Sequence, residues 1–235
     1  MSKRICASYY TLEVTKVMKY NESTTQKIIA QSFSELAPKE NESPNLDYYC
    51  GLNLKDWLEY IEGENKHAVV SFLSNEANSV VLSSAPGSRE SHHAWQGGYE
   101  EHVRQSMMIV TINIKILENI GALTQLPEEE QFTLSDALTV IFLHDIEKPF
   151  IYNYNKREGI VKLKPSFSKA DRKQFRQAII EKYGFKITAT MANALKYVEG
   201  VPDSDYKPGQ RTDQPLAALC HAADNVSARV LYSFR

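Results

Sequence analysis

Between Thr133 and Asp145 the chain carries Leu134, Ala137, Leu138, Val140, Ile141, Phe142 and Leu143, followed by the dipeptide His144-Asp145. Thr133 is a residue type that caps helices, and a helix apolar on nearly every face belongs in a core. The chemistry lies at the end of this segment. A buried carboxylate needs a cation or strong donors, because an unpaired charge away from water is very costly. A divalent metal would satisfy His144 and Asp145 together. Imidazole nitrogen with carboxylate oxygen suits Mn, Fe, Co, Ni or Zn.

The flanking sequence is also helical. Gly98 to Ile120 places Tyr99, Val103, Met107, Val110, Ile114 and Leu117 on one stripe, with Gly121 as a stop. Asn53 is a cap for a short helix bearing Leu54, Trp57, Leu58 and Ile61. Val69–Phe72 and Ser79–Leu82 are apolar runs open to helix or strand. Ser168 and Asp171 form a capping-box pattern for a helix ending near Gly184, and a further helix spans about Thr188 to Glu199. Asp213 is a candidate cap for a terminal helix that Gln214 and Pro215 open, with Leu216, Leu219, Ala223, Val226 and Val230 apolar. Phe150 to Pro165 alternates weakly about Lys156-Arg157-Glu158-Gly159, the pattern of a β-hairpin. The expected fold is therefore mostly α, with a small hairpin after the His-Asp pair. Residues 1–90 read as an N-terminal, mainly helical extension, including a helix over Glu22 to Leu36, and residues 91–235 as the main domain.

Several classes are excluded. With 43% apolar and 24% charged residues the chain of 235 is of ordinary globular make-up. Its longest apolar run, Ala137 to Leu143, is broken by Thr139 and falls far short of the ~20 residues of a membrane span. No membrane partner is expected, and the N-terminus lacks the apolar core of a secretory signal, so the expected location is the cytoplasm. Cys6, Cys50 and Cys220 form no CxxC pair, which argues against a disulfide framework or a cysteine zinc site. The net charge of −2 gives no whole-chain case for nucleic acid, yet Lys156 to Arg176 holds eight basic and two acidic residues. Such a local patch attracts phosphorylated ligands.

Two further residues join His144 and Asp145. His102 lies within the Gly98–Ile120 helix, 42 residues earlier, and Asp224 sits among alanines 79 residues after Asp145. An acidic residue on a small-residue packing face needs a local reason, which a metal supplies. This order resembles the H…HD…D pattern of the HD superfamily of metal-dependent phosphohydrolases. The run His92-His93-Ala94-Trp95-Gln96-Gly97-Gly98-Tyr99-Glu100-Glu101-His102 is similar to the HHAYxGGLLEH stretch of HD domains in 3′→5′ exoribonucleases and their relatives. Leu143-His144-Asp145-Ile146-Glu147-Lys148-Pro149 resembles LHDIGKP, and Ala222-Ala223-Asp224-Asn225-Val226-Ser227-Ala228 resembles ADxxSA. The resemblance covers about Ser91 to Arg229.

The resemblance implies an HD-type helical bundle in which His102, His144, Asp145 and Asp224 hold a divalent transition metal, with Mg as an alternative. It implies hydrolysis of a phosphate ester by a metal-activated water, with Asp145 and Lys148 as catalytic residues. His92 and His93 match the paired histidines that hold a second metal or meet the phosphate. The expected substrate is a phosphorylated small molecule, a nucleotide or cyclic nucleotide foremost. A 3′→5′ exonuclease or phosphodiesterase acting on RNA or single-stranded DNA is one alternative. A nucleotide sensor with a silent HD domain is the other, suggested by Glu147 where the family has glycine. Lys156, Arg157 and Tyr152, on the expected hairpin, are candidates for substrate binding. The hairpin and the Val201–Gln214 loop are candidates for substrate gating.

Overall fold

The computed structural model describes residues 49, 51–155, 157–158, 160–163 and 169–234. The expected Glu22–Leu36 helix, Cys6, Cys50, Lys156 and the Ser168 cap lie outside them. The description concerns the compact unit Asp47–Arg235.

That unit is mostly helical. Numbered over the described residues, its helices are α1 (Leu54–Leu58), α2 (Gly63–Leu73), α3 (Glu76–Ser84), α4 (Gly98–Asn119), α5 (Leu134–Leu143), α6 (Lys148–Ile151), α7 (Lys169–Tyr183), α8 (Ala189–Tyr197) and α9 (Pro215–Arg229). Both apolar runs left open between helix and strand are helical, in α2 and α3. Strands β1 (Tyr152–Asn155) and β2 (Ile160–Leu163) pair antiparallel, with Tyr152 opposite Leu163 and Asn155 opposite Ile160. The Asn155 side chain accepts from the backbone N–H of Arg157 at 3.0 Å, which helps set the turn.

The helix boundaries follow local chemistry. Asn53 with Asp56, and Thr133 with Asp136, form reciprocal capping boxes. Gly121 takes φ +71° after α4, a conformation glycine adopts without a Cβ clash. The α9 cap is Gln214 rather than Asp213: Pro215 is the first helical residue, and the Gln214 N–H donates to Asn193 Oδ1 at 2.9 Å.

α5 is the centre of the core. Ala137, Leu138, Val140, Ile141, Phe142 and Leu143 are all fully buried. Thr139, also buried, directs its hydroxyl to the Ser135 carbonyl at 2.8 Å, so the break in the apolar run leaves no unsatisfied donor. α4 packs along α9, α5, α3 and α1, and α9 packs on α8. Leu54, Trp57, Leu58 and Phe72 belong to this same core. The Phe72 ring lies 5.7 Å from Phe142, 5.0 Å from Tyr183 and 6.5 Å from Phe150. α1–α3 thus supply part of the layer that buries α5 and α7.

Candidate metal centre

The segment before α4 is shaped by close backbone contacts. A Cβ at Gly98 would stand 2.0 Å from the His93 carbonyl oxygen, and one at Gly87 would stand 2.9 Å from His93 Cβ. Gly87 N–H donates to that carbonyl at 2.8 Å, and Tyr99 N–H donates to Ala85 O at 3.1 Å. Gly97 (φ +81°) and His93 (φ +54°) take the left-handed turn that this fold-back requires. The paired glycines thus let the His92-His93 loop lie against the start of α4, one turn before His102.

Four side chains from three distant elements converge there: His102 from α4, His144 and Asp145 from the end of α5, and Asp224 from α9. His144 Nδ1 lies 2.6 Å from the Ile141 carbonyl, which can only accept, so Nδ1 carries the proton. His102 Nδ1 lies 2.9 Å from Ser227 Oγ, whose own proton goes to Gln105 Oε1 at 2.9 Å. Both imidazoles therefore turn an Nε2 lone pair inward. His102 Nε2 is 3.0 Å from Asp224 Oδ1 and 3.6 Å from Asp145 Oδ2. His144 Nε2 is 3.2 Å from Asp145 Oδ2 and 3.6 Å from Asp224 Oδ1. Neither Nε2, nor Asp145 Oδ1, has a hydrogen-bond partner among the described residues. Lone pairs facing carboxylate oxygens repel unless positive charge lies between them. The donor set fits a divalent metal ion, with ligand atoms of His102, His144 and Asp145 within 4.8 Å of one another.

The electrostatics agree. Burial alone would lower His144, but the Asp145 and Asp224 carboxylates push it up to about 10, so a proton stands in for the cation. Burial would raise Asp145 and Asp224. Lys148 and His144 hold Asp145 well below the carboxylate range, and His102 and His144 do the same for Asp224. Lys148 Nζ donates to Asp145 Oδ2 and is held in its charged form by that carboxylate against its own burial. Glu147, 6% exposed, is pushed up to about 7 by burial and then by the Asp145 charge. Its Oε2 has no partner among the described residues, and it does not line the cavity beside the centre.

His92 and His93 also approach His102, and nitrogens of the three lie within 4.8 Å of one another. The two differ in environment. Gln105 Nε2 donates to Glu101 Oε1 at 3.4 Å, which turns Gln105 Oε1 toward His93 Nε2 at 3.0 Å. His93 is therefore protonated on Nε2, and its Nδ1 accepts from His92 Nδ1 at 3.1 Å. That leaves His92 Nε2 as an acceptor on a half-buried residue at the cavity wall. Burial, with the His102 and Lys148 charges, pushes His92 down to about 3.

A cavity of about 700 Å³ opens on the centre, with His144, Asp145, Asp224, Lys148 and His92 in its wall. Ser88, Glu90, Ser91, Glu199, Asn225, Ala228, Arg229 and Tyr232 also line it, and sequence reasoning singled out none of these as site residues. A signal for two of them was present: His221, Asn225 and Arg229 are spaced i, i+4, i+8 on α9. Asn225 Nδ2 lies 3.0 Å from His221 Nε2, and Arg229 Nε donates to Asn225 Oδ1 at 3.1 Å.

Of the hairpin candidates, Tyr152 and Arg157 do not line the cavity. Tyr152 is buried beside Ile151 with the Arg172 guanidinium 5.6 Å from its ring centre, and Arg157 is exposed at the turn. Ile151 and Tyr152 pack against Ala94, beside the His92-His93 loop, and Lys156 lies outside the described residues. Residues 201–214 do not line the cavity either. That loop is tied down by Asp205 to Lys196 at 2.8 Å and to the Tyr197 hydroxyl at 3.0 Å, and by Arg211 to Glu130.

Compared with protein-family models, curated proteins and solved structures, the chain matches none. A helical unit carrying a His/His/Asp cluster able to bind a metal is compatible with an HD-type architecture.

Proposed function

We propose that this protein is a metal-dependent phosphohydrolase acting on a small phosphate ester, a nucleotide or cyclic nucleotide foremost. The observation that carries this reading is the inward pairing of two imidazole lone pairs with two carboxylates at 3.0–3.6 Å, without hydrogen bonds to satisfy either nitrogen. His102, His144, Asp145 and Asp224 would hold the ion. When bound, the ion lowers the pKa of a water and polarises a phosphoryl oxygen. Lys148 stands at the cavity wall as a fixed positive charge, suited to hold a substrate phosphate. Asp145 Oδ1, buried and without a partner, is the acceptor for the attacking water's proton. Ser227 and the Ile141 carbonyl fix the two imidazole orientations.

The cavity favours a small substrate over a polynucleotide. Its volume falls among small-molecule sites. Its exposed Glu199 carboxylate opposes the run of phosphates that a nucleic-acid strand brings.

The test is phosphate release from nucleotides, cyclic nucleotides and short RNA and DNA, using protein stripped and reloaded with Mn, Fe, Co, Ni, Zn or Mg. We expect a metal-dependent activity lost in His144→Ala and in Asp145→Ala, each still helical by circular dichroism. Turnover undiminished in both variants would overturn the proposal. Tight nucleotide binding with no product under any metal would replace it with a sensor.

A further inference from the structure

None of the described basic residues of the Lys156–Arg176 segment lines the metal-centre cavity; Lys173 and Arg176 line a second cavity, of about 780 Å³, between α7 and α8. Its floor is apolar, with buried Ile180 and Phe185 beside Leu195. Its rim also carries Lys186 and Lys196. The one acidic lining residue, Glu181, is engaged by the Gln177 amide at 2.8 Å. Lys196 is answered by Asp205 at 2.8 Å, and Lys186 only by exposed Glu64 at 3.6 Å. Lys173 has no ion-pair partner among the described residues. Arg176 spends one N–H on the His144 carbonyl at 2.5 Å and its charge also acts on the buried Glu147 carboxyl, leaving further donors of its guanidinium fork.

From this arrangement we infer that the second cavity is a ligand site for a small phosphorylated molecule with a flat apolar body. The phosphate lies between Lys173 and Arg176, and the body lies over Phe185 and Leu195. The size is that of a small-molecule site, and the unanswered charge is positive, so an anion with an apolar part matches both the rim and the floor. The site touches the metal centre through one residue. Arg176 holds the carbonyl of His144 at the C-terminal end of α5, where a cation is favoured and backbone acceptors lack helical partners. Arg176 is thus a positioning residue for a metal ligand and a binding residue of the second site.

The experiment uses the full chain freed of metal, with AMP as probe in isothermal calorimetry and inorganic phosphate and adenosine as single-feature controls. AMP is expected to bind more tightly than either control. Lys173→Glu with Lys186→Glu should raise its Kd about tenfold or more, as expected where charges meet a desolvated phosphate. Lys182→Glu, the same charge change on α7 but off the cavity, should leave the Kd unaltered, as should Arg229→Glu in the metal-centre cavity. Binding lost in Arg229→Glu but retained in the Lys173/Lys186 variant would overturn the site, and so would no AMP binding at millimolar concentration. Arg176→Gln reports the link. It should weaken both AMP binding and Mn²⁺ binding read by electron paramagnetic resonance, while the Lys173/Lys186 variant weakens only the first. Mn²⁺ affinity unchanged in Arg176→Gln would overturn the connection.

Discussion

Ser227 decides which nitrogen His102 offers to the centre. It accepts from Nδ1 while giving its own proton to Gln105, so Nε2 is left to face Asp224 and Asp145. Ser227→Ala removes that partner from a fully buried ring without touching a ligand atom. The expected result is a metal affinity lower by about 10–100-fold, typical of lost supporting hydrogen bonds. Competition with a chromophoric chelator measures it, and an unchanged affinity would show that packing alone orients His102. Gly98 is constrained in a different way. A methyl group there would sit 2.0 Å from the His93 carbonyl oxygen, which is backbone and already takes a hydrogen bond from Gly87. Gly98→Ala should therefore cost about 3 kcal/mol or more by chemical denaturation, a severe case of overpacking. Gly209→Ala is the contrast: nothing lies within 4 Å of its added Cβ, so only its φ of +76° opposes the change.

At the scale of elements, α5 shows what the sequence disclosed and what it withheld. Its apolar faces, its Thr133 cap and its His144-Asp145 end are local features, so periodicity and residue type revealed them. Thr133→Ala should lower stability by about 1 kcal/mol, because the capping box with Asp136 satisfies otherwise free N–H groups. Phe142→Ala, which opens a void beside Phe72 and Phe185, should cost about 3–5 kcal/mol. Similar losses for the two variants in urea melts would contradict this picture of the core. The His102, His144 and Asp145 cluster that could hold a metal was legible because each member sits in a short motif on or at the end of a helix. Arg176 was visible only as charge, since its hydrogen bond to His144 spans 32 residues of sequence. Glu199 and Tyr232 reach the cavity through the packing of α8 and α9, which no local pattern encodes. Tyr152 lies outside the cavity lining, and half-buried hairpin aromatics share one sequence pattern with base-stacking ones. The packing of Phe72 on Phe142 joins residues 70 positions apart, which a change in sequence texture does not show.

Across the whole unit, the centre ties α4, α5 and α9, whose ligands lie far apart in sequence. An ion held there would bind the folded chain and not the unfolded one, so its binding energy adds to folding stability. At a free metal concentration 100 times its Kd, the gain is about 2.7 kcal/mol. For a unit of this size that raises the melting temperature by about 5–10 °C. Stripping the metal should reverse the shift, and re-addition should restore it. Asp224→Asn separates this effect from general salt stabilisation: it keeps the side chain's shape but removes one of the two carboxylates facing the imidazoles. In that variant the metal-dependent shift should shrink or vanish, and the metal-free melting temperature should fall at neutral pH, because the folded state holds the Asp224 carboxylate charged against His102 and His144. A full metal-induced shift in Asp224→Asn, read by differential scanning calorimetry at matched ionic strength, would place the ion somewhere other than among these four side chains.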